Sequence, residues 1–115
     1  MKHIKTYKIF EEYGSEIIET IKDICLEIDD KGYATGISHD VAFDYFLWVN
    51  KKRNEMSSPA FQYDEVKDVI DRLKDYLGNK LLWTMMMDVN STWVDITGLE
   101  PIAPIYIIKI KFRDI

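Results

Sequence analysis

The same spacing of apolar residues occurs twice in this chain, and each time a glycine closes it. Ile17, Ile21, Ile24, Cys25 and Ile28 form one stripe, ended by Gly32. Val66, Val69, Ile70, Leu73, Tyr76 and Leu77 form the second, ended by Gly78. Residues three and four apart share one side of a helix, so each run predicts a helix with a single apolar face. Such a helix gains its stability from covering that face. Superposed, Ile21, Ile24, Cys25 and Ile28 fall on Val66, Val69, Ile70 and Leu73, and a β-prone hairpin follows each glycine. The match fits a duplicated αββ unit, and it equally fits any two amphipathic helices. In both cases the economical solution is two helices packed on one face of an antiparallel sheet.

The remaining elements follow from alternation and turn chemistry. Residues 4–10 alternate imperfectly and predict a first strand or an extended arm, residues 1–12 being an extended arm or edge strand of the domain. The first helix is expected over 15–31, with Ser15 as its N-cap and Glu16 and Glu19 near its positive end. Strands are expected at 33–37 and 41–50, with Gly36 and Ser38-His39-Asp40 as the turn between them. The second of these places Val41, Phe43, Tyr45, Leu47 and Val49 on one face and Ala42, Asp44, Phe46, Trp48 and Asn50 on the other. Both faces carry aromatics, which suits a central strand.

Residues 51–59 are a polar connection, and the second helix starts between Pro59 and Asp64. An Asp68–Arg72 pair is expected on its exposed side. Strands at 80–89, 92–96 and 105–112 complete the order, with a tight turn at Asn90-Ser91. The fold class is thus α+β: one domain over residues 1–115, a sheet of four to six antiparallel strands, and the order (β)αββαβββ. An exposed strand such as the last one can pair with its twin and form a homodimer.

Composition excludes several classes. The chain has 115 residues, of which 47 % are hydrophobic and 13 % aromatic, enough for a core without disulfides. A single cysteine, Cys25, cannot form an internal bridge and points to a reducing, cytoplasmic compartment. No apolar run is long enough to span a membrane. The net charge of −5 disfavours general nucleic-acid binding.

No catalytic, metal-binding or cofactor motif emerges. His39 beside Asp40 reads as a polar turn. Cys25 lies on an apolar stripe and reads as core. Asp29-Asp30, Asp88 and Asp95 lack the spacing of a metal loop, and the glycines are too scattered to cradle phosphate. Met85, Met86 and Met87 on a strand read mainly as core. The candidates that remain are aromatic and basic. Tyr45, Trp48, Trp83 and Trp93 are of the types that interfaces favour. Lys51, Lys52, Arg53, Lys109 and Lys111 are the candidate contacts to nucleic acid. The strand residues Phe43, Tyr45, Phe46 and Trp48 suit base stacking, although the basic-glycine signature of RNA-recognition sheets is missing from VAFDYFLWV.

The opening MKHIKTYKIFEE resembles that of many small proteins of large tailed bacteriophages. The similarity continues through Asp30-Lys31-Gly32-Tyr33, the VxxVIxRLxxYLG helix and the terminal IKIKF strand. It implies a viral origin more than an activity. The first twelve residues are also similar to capsid-targeting leaders of internal head proteins, in which Ile9-Phe10-Glu11 would match a prohead-protease site. The expectation is therefore a non-enzymatic phage accessory protein that binds a host or viral protein in the infected cell. A packaged virion component and a nucleic-acid-binding module are the alternatives.

Overall fold

The computed structural model describes residues 2–53 and 59–114, with side chains from Glu16 onward. Residues 54–58 of the expected polar connection lie outside the described residues. The order is α1 (Lys2–Asp29), β1 (Tyr33–His39), β2 (Asp44–Lys51), a short 3-10 turn (Tyr63–Glu65), α2 (Lys67–Leu77), β3 (Leu81–Asp88), β4 (Trp93–Asp95) and β5 (Ile105–Arg113). A second 3-10 turn, Gly78–Lys80, leads from α2 into β3.

The first strand is corrected: residues 2–29 form one helix of 28 residues, with neither an arm nor a strand at its start. Ile4, Tyr7 and Phe10 are three apart, so the segment fits a helical period as well as an alternating one. Ser15 consequently lies inside the helix and not at its N-cap position. Gly14 in mid-helix costs about 1 kcal/mol relative to alanine, which a long packed helix tolerates. At the other end Gly32 adopts φ 94°, a left-handed geometry that stops the helix. Lys31 N–H donates to Ile28 O and Gly32 N–H to Asp29 O there.

The five strands among the described residues are antiparallel, in the spatial order β1-β2-β5-β3-β4. The last strand is therefore central, not an exposed strand free to pair with a twin. Ile108, Ile110 and Phe112 of β5 are fully buried and lie beneath the helices with Leu47, Val49, Thr84 and Met86 of its neighbours. Ile21, Cys25 and Ile28 of α1 and Val69, Ile70, Leu73 and Leu77 of α2 complete one continuous core. Burial pushes the Cys25 thiol up to about 11, a hydrogen bond with Thr35 opposing the shift. The helices are joined by an ion pair between Arg72 and Glu27, so Arg72 does not pair with Asp68 as expected; the i,i+4 pair on α2 is Lys67–Asp71 at 2.7 Å.

One turn also differs from expectation, whereas the Asn90-Ser91 turn forms where it was expected. Gly36 sits in the middle of β1, and the turn into β2 is made by Val41–Phe43, with Ala42 at φ 49° and Asp44 N–H donating to Val41 O at 2.8 Å. Val41 and Phe43 are exposed in that turn and are not members of the strand. At the other hairpin, Asp88 Oδ1 accepts from Asn90 N–H at 2.9 Å and from Thr92 N–H at 3.0 Å, closing the turn around Ser91.

Thr84 is fully buried on the helix side, and its hydroxyl has no hydrogen-bond partner among the described residues. An unsatisfied buried polar group costs about 1–3 kcal/mol. Thr84→Val removes it with almost no change of shape. The expected result is a gain of about 1 kcal/mol, read as a higher urea midpoint at unchanged slope.

Candidate binding face

Alternation along the strands places a second set of side chains on the face away from the helices. Three rows cross the sheet in register. The first is Ser38, Phe46, Lys111 and Trp83. The second is Gly36, Trp48, Lys109, Met85 and Asp95. The third is Ala34, Asn50, Ile107, Met87 and Trp93. Neither helix lies on this side, because the apolar stripe of each is used up on the other. Most of these residues are half-buried by one another, and Trp93 is 41 % exposed.

Contacts within the face are specific. Phe46 and Trp83 meet with ring centroids 5.8 Å apart. Lys109 Nζ lies 4.2 Å from the Phe46 centroid and 5.7 Å from that of Trp93, so its charge rests between two π-faces. Lys111 Nζ is 5.4 Å from the Phe46 ring. Trp48 lies over Gly36, where an added Cβ would meet the indole at 2.3 Å. Glycine at that point lets a large ring lie flat on an edge strand.

Acidic groups meet two of the three cations. Asp44, only 6 % exposed, accepts from Arg113 Nε at 2.7 Å and from Nη2 at 3.4 Å. Lys111 reaches Asp40 at 3.5 Å and Asp44 at 3.7 Å. Lys109 has no carboxylate within ion-pair distance among the described residues. The hydrogen bond from Arg113 holds the Asp44 carboxyl below the usual carboxylate range against the opposing effect of burial, helped by the charges of Arg113 and Lys111. On the helix side Glu65 is lowered too, by Tyr33 O–H and by Gln62 N–H at 2.8 Å.

Both carboxyls titrate lower when folded than when unfolded. Their stabilisation is complete above the unfolded values of about 3.9–4.3 and disappears as pH falls through the folded ones. Urea midpoints should therefore drop below about pH 4. Asp44→Asn should flatten that acid limb while lowering the midpoint at neutral pH.

The sequence candidates divide. Trp48, Trp83, Trp93, Lys109 and Lys111 come together on the open face. Tyr45 does not: it points to the helix side and stacks on Phe112 at 5.6 Å, next to His39. Odd and even positions of β2 face opposite ways, so Tyr45 and Trp48 cannot share a surface. Lys51, Lys52 and Arg53 are also separated from Lys109 and Lys111. Lys51 pairs with Glu65 at 3.6 Å and lies over Tyr33, Lys52 pairs with Asp29 at 3.7 Å, and Arg53 is exposed beyond the strand end. His39 and Asp40 also part, His39 Nε2 to Ala42 O at 2.6 Å and Asp40 to Lys111. Phe46, a base-stacking candidate in the sequence, joins the face; so do Met85 and Met87, read there mainly as core, and Ile107, which was not a candidate. Their alternation with core positions carries that signal.

Among the described residues no three His, Cys, Asp or Glu side chains gather as a metal site would need. No helix among them is long and apolar enough to cross a membrane. A shallow hollow of about 200 Å³ lies between Gln62–Asp64 and Glu100–Ile102, beside the Lys67–Glu100 ion pair. No family model, curated protein or solved structure matches this chain.

Proposed function

We propose that this chain is a non-catalytic binding module that holds a protein partner on the open face of its sheet. The supporting observation is the gathering of Phe46, Trp48, Trp83, Trp93, Met85, Met87 and Ile107 on one side of a sheet whose helices occupy the other. Aromatic and methionine side chains dominate the buried centres of protein interfaces, where large rings carry most of the binding energy. The bacteriophage resemblance makes a host or viral protein the expected partner, met in the infected bacterial cell.

A second reading, single-stranded nucleic acid, draws on Lys109 between Phe46 and Trp93, since a cation among stackable rings is how such strands are held. Charge weighs against it. Asp40 and Asp44 neutralise Lys111 and Arg113 within the face, in a chain of net charge −5. The packaged-virion reading rests on the leader resemblance. It requires mature particles to contain this protein trimmed after Glu11, as mass spectrometry of purified virions would show.

The test is affinity capture from bacterial lysate with C-terminally tagged chain, wild type and Trp93→Ala in parallel, with and without nuclease. A stoichiometric protein that survives nuclease and is lost with Trp93→Ala supports the proposal. Recovery that vanishes with nuclease favours the nucleic-acid reading. A partner retained equally by both chains places binding elsewhere.

A further inference from the structure

The two edges of the sheet are built differently. The β4 edge has three residues, Trp93–Asp95, and ends in a charge. Short, charged edges are how proteins prevent strands from adding to a sheet. The β1 edge has seven residues, Tyr33–His39, with no charge and no proline, and its pairing to β2 runs without a bulge. No described segment pairs with its outer side.

Hydrogen bonding defines which groups that edge offers. Asp40 N–H donates to Asp44 O at 2.9 Å and Lys52 N–H to Gly32 O at 2.8 Å. Both pairs continue the β1–β2 register, so the even-numbered residues of β1 bond to β2. Tyr33, Thr35, Ile37 and His39 therefore direct N–H and C=O outward.

We infer that β1 pairs antiparallel with β1 of a second copy, about a two-fold axis at Gly36. This register is self-complementary. It sets Thr35 opposite Ile37 and Tyr33 opposite His39, so every outward-bonding residue meets another. Gly36 meets Gly36 at a non-hydrogen-bonded site, where Cα atoms approach to about 4.5 Å and side chains crowd most. The same register brings the Lys31 end of each strand beside the Asp40 end of the other, opposite charges. Pairing doubles the sheet and joins the two open faces, with a Trp48 on each side of the axis.

The register predicts a covalent link. Ala34 of one copy lies opposite Ser38 of the other at a non-hydrogen-bonded site, within the Cα range of a disulfide. Within one strand the two are about 13 Å apart and cannot bridge. Sedimentation equilibrium of the full chain should give twice the 13.6 kDa monomer mass. Thr35→Pro removes an outward N–H while sparing the ladder to β2 and should give a monomer with unchanged circular dichroism. Ala34→Cys/Ser38→Cys, mildly oxidised, should give a dimer whose linked peptides join residue 34 to residue 38. Wild type that stays monomeric up to hundreds of micromolar overturns the inference. So does a dimer in which the double-cysteine chain links 34 to 34, 38 to 38, or not at all, and this arm holds even if Thr35→Pro fails to fold.

Discussion

Phe112→Ala should cost about 3–5 kcal/mol of stability, the largest effect of any single truncation considered. Phe112 is fully buried on the central strand, pairs across to Tyr45 and Leu81, and has the Tyr45 ring stacked on it. Truncation removes the transfer energy of the ring and leaves a cavity that two strands and the stacked tyrosine must fill. A domain of this size has only about 5–15 kcal/mol in total, so a large fraction is at stake. Urea unfolding followed by circular dichroism reads the loss. A cost under about 1 kcal/mol would mean that residue 112 lies at a sheet edge, as the lysines of that segment suggest when the sequence is read alone.

Gly36→Ala should damage the open face through a single added methyl group. The new Cβ falls 2.3 Å from the Trp48 indole, and the next two ring atoms are at 2.6 and 3.0 Å. The ring cannot remain where it lies. Overpacking of this kind costs about 1–3 kcal/mol. The rotation of Trp48 away from β1 should also weaken partner binding, as Trp48→Ala would, and shift the tryptophan emission. Because all three tryptophans of the chain occupy this face, fluorescence reports on it alone. Emission and binding unchanged in Gly36→Ala would show that Trp48 does not rest on β1.

The fold was legible wherever burial imposed a period. The α2 stripe, the two-faced pattern of residues 44–50 and the alternation of β5 all follow from one side needing cover. The N-terminal segment was not legible, because residues 4–10 alternate imperfectly while Ile4, Tyr7 and Phe10 fit a helical period, and only the continuing helix decides between the two. The place of β5 was obscured by Lys109 and Lys111. Charged residues argue for an edge, yet here the lysines lie against Phe46 and Trp93, and Lys111 also meets Asp40 and Asp44. Gly36 reads as a turn residue by composition, and its contact with Trp48 exists only once β1 and β2 are in register. The site was half legible for the same reason. Parity along a strand tells which residues share a face, so Phe46 belongs with Trp48 and Tyr45 does not. Which face the helices leave open depends on how strands distant in sequence are ordered.

A partner held on the open face, and not on the helix layer, should respond to substitutions on that face alone. The direct measurement is titration calorimetry of the captured protein against wild type, Trp93→Ala on the open face, and Tyr76→Ala on the exposed side of α2. Trp93→Ala should weaken binding about 30-fold or more, as loss of a hot-spot ring of about 2 kcal/mol requires, and Tyr76→Ala should stay within about twofold of wild type. Full affinity in Trp93→Ala together with a large loss in Tyr76→Ala would contradict this and move the binding surface to the helices.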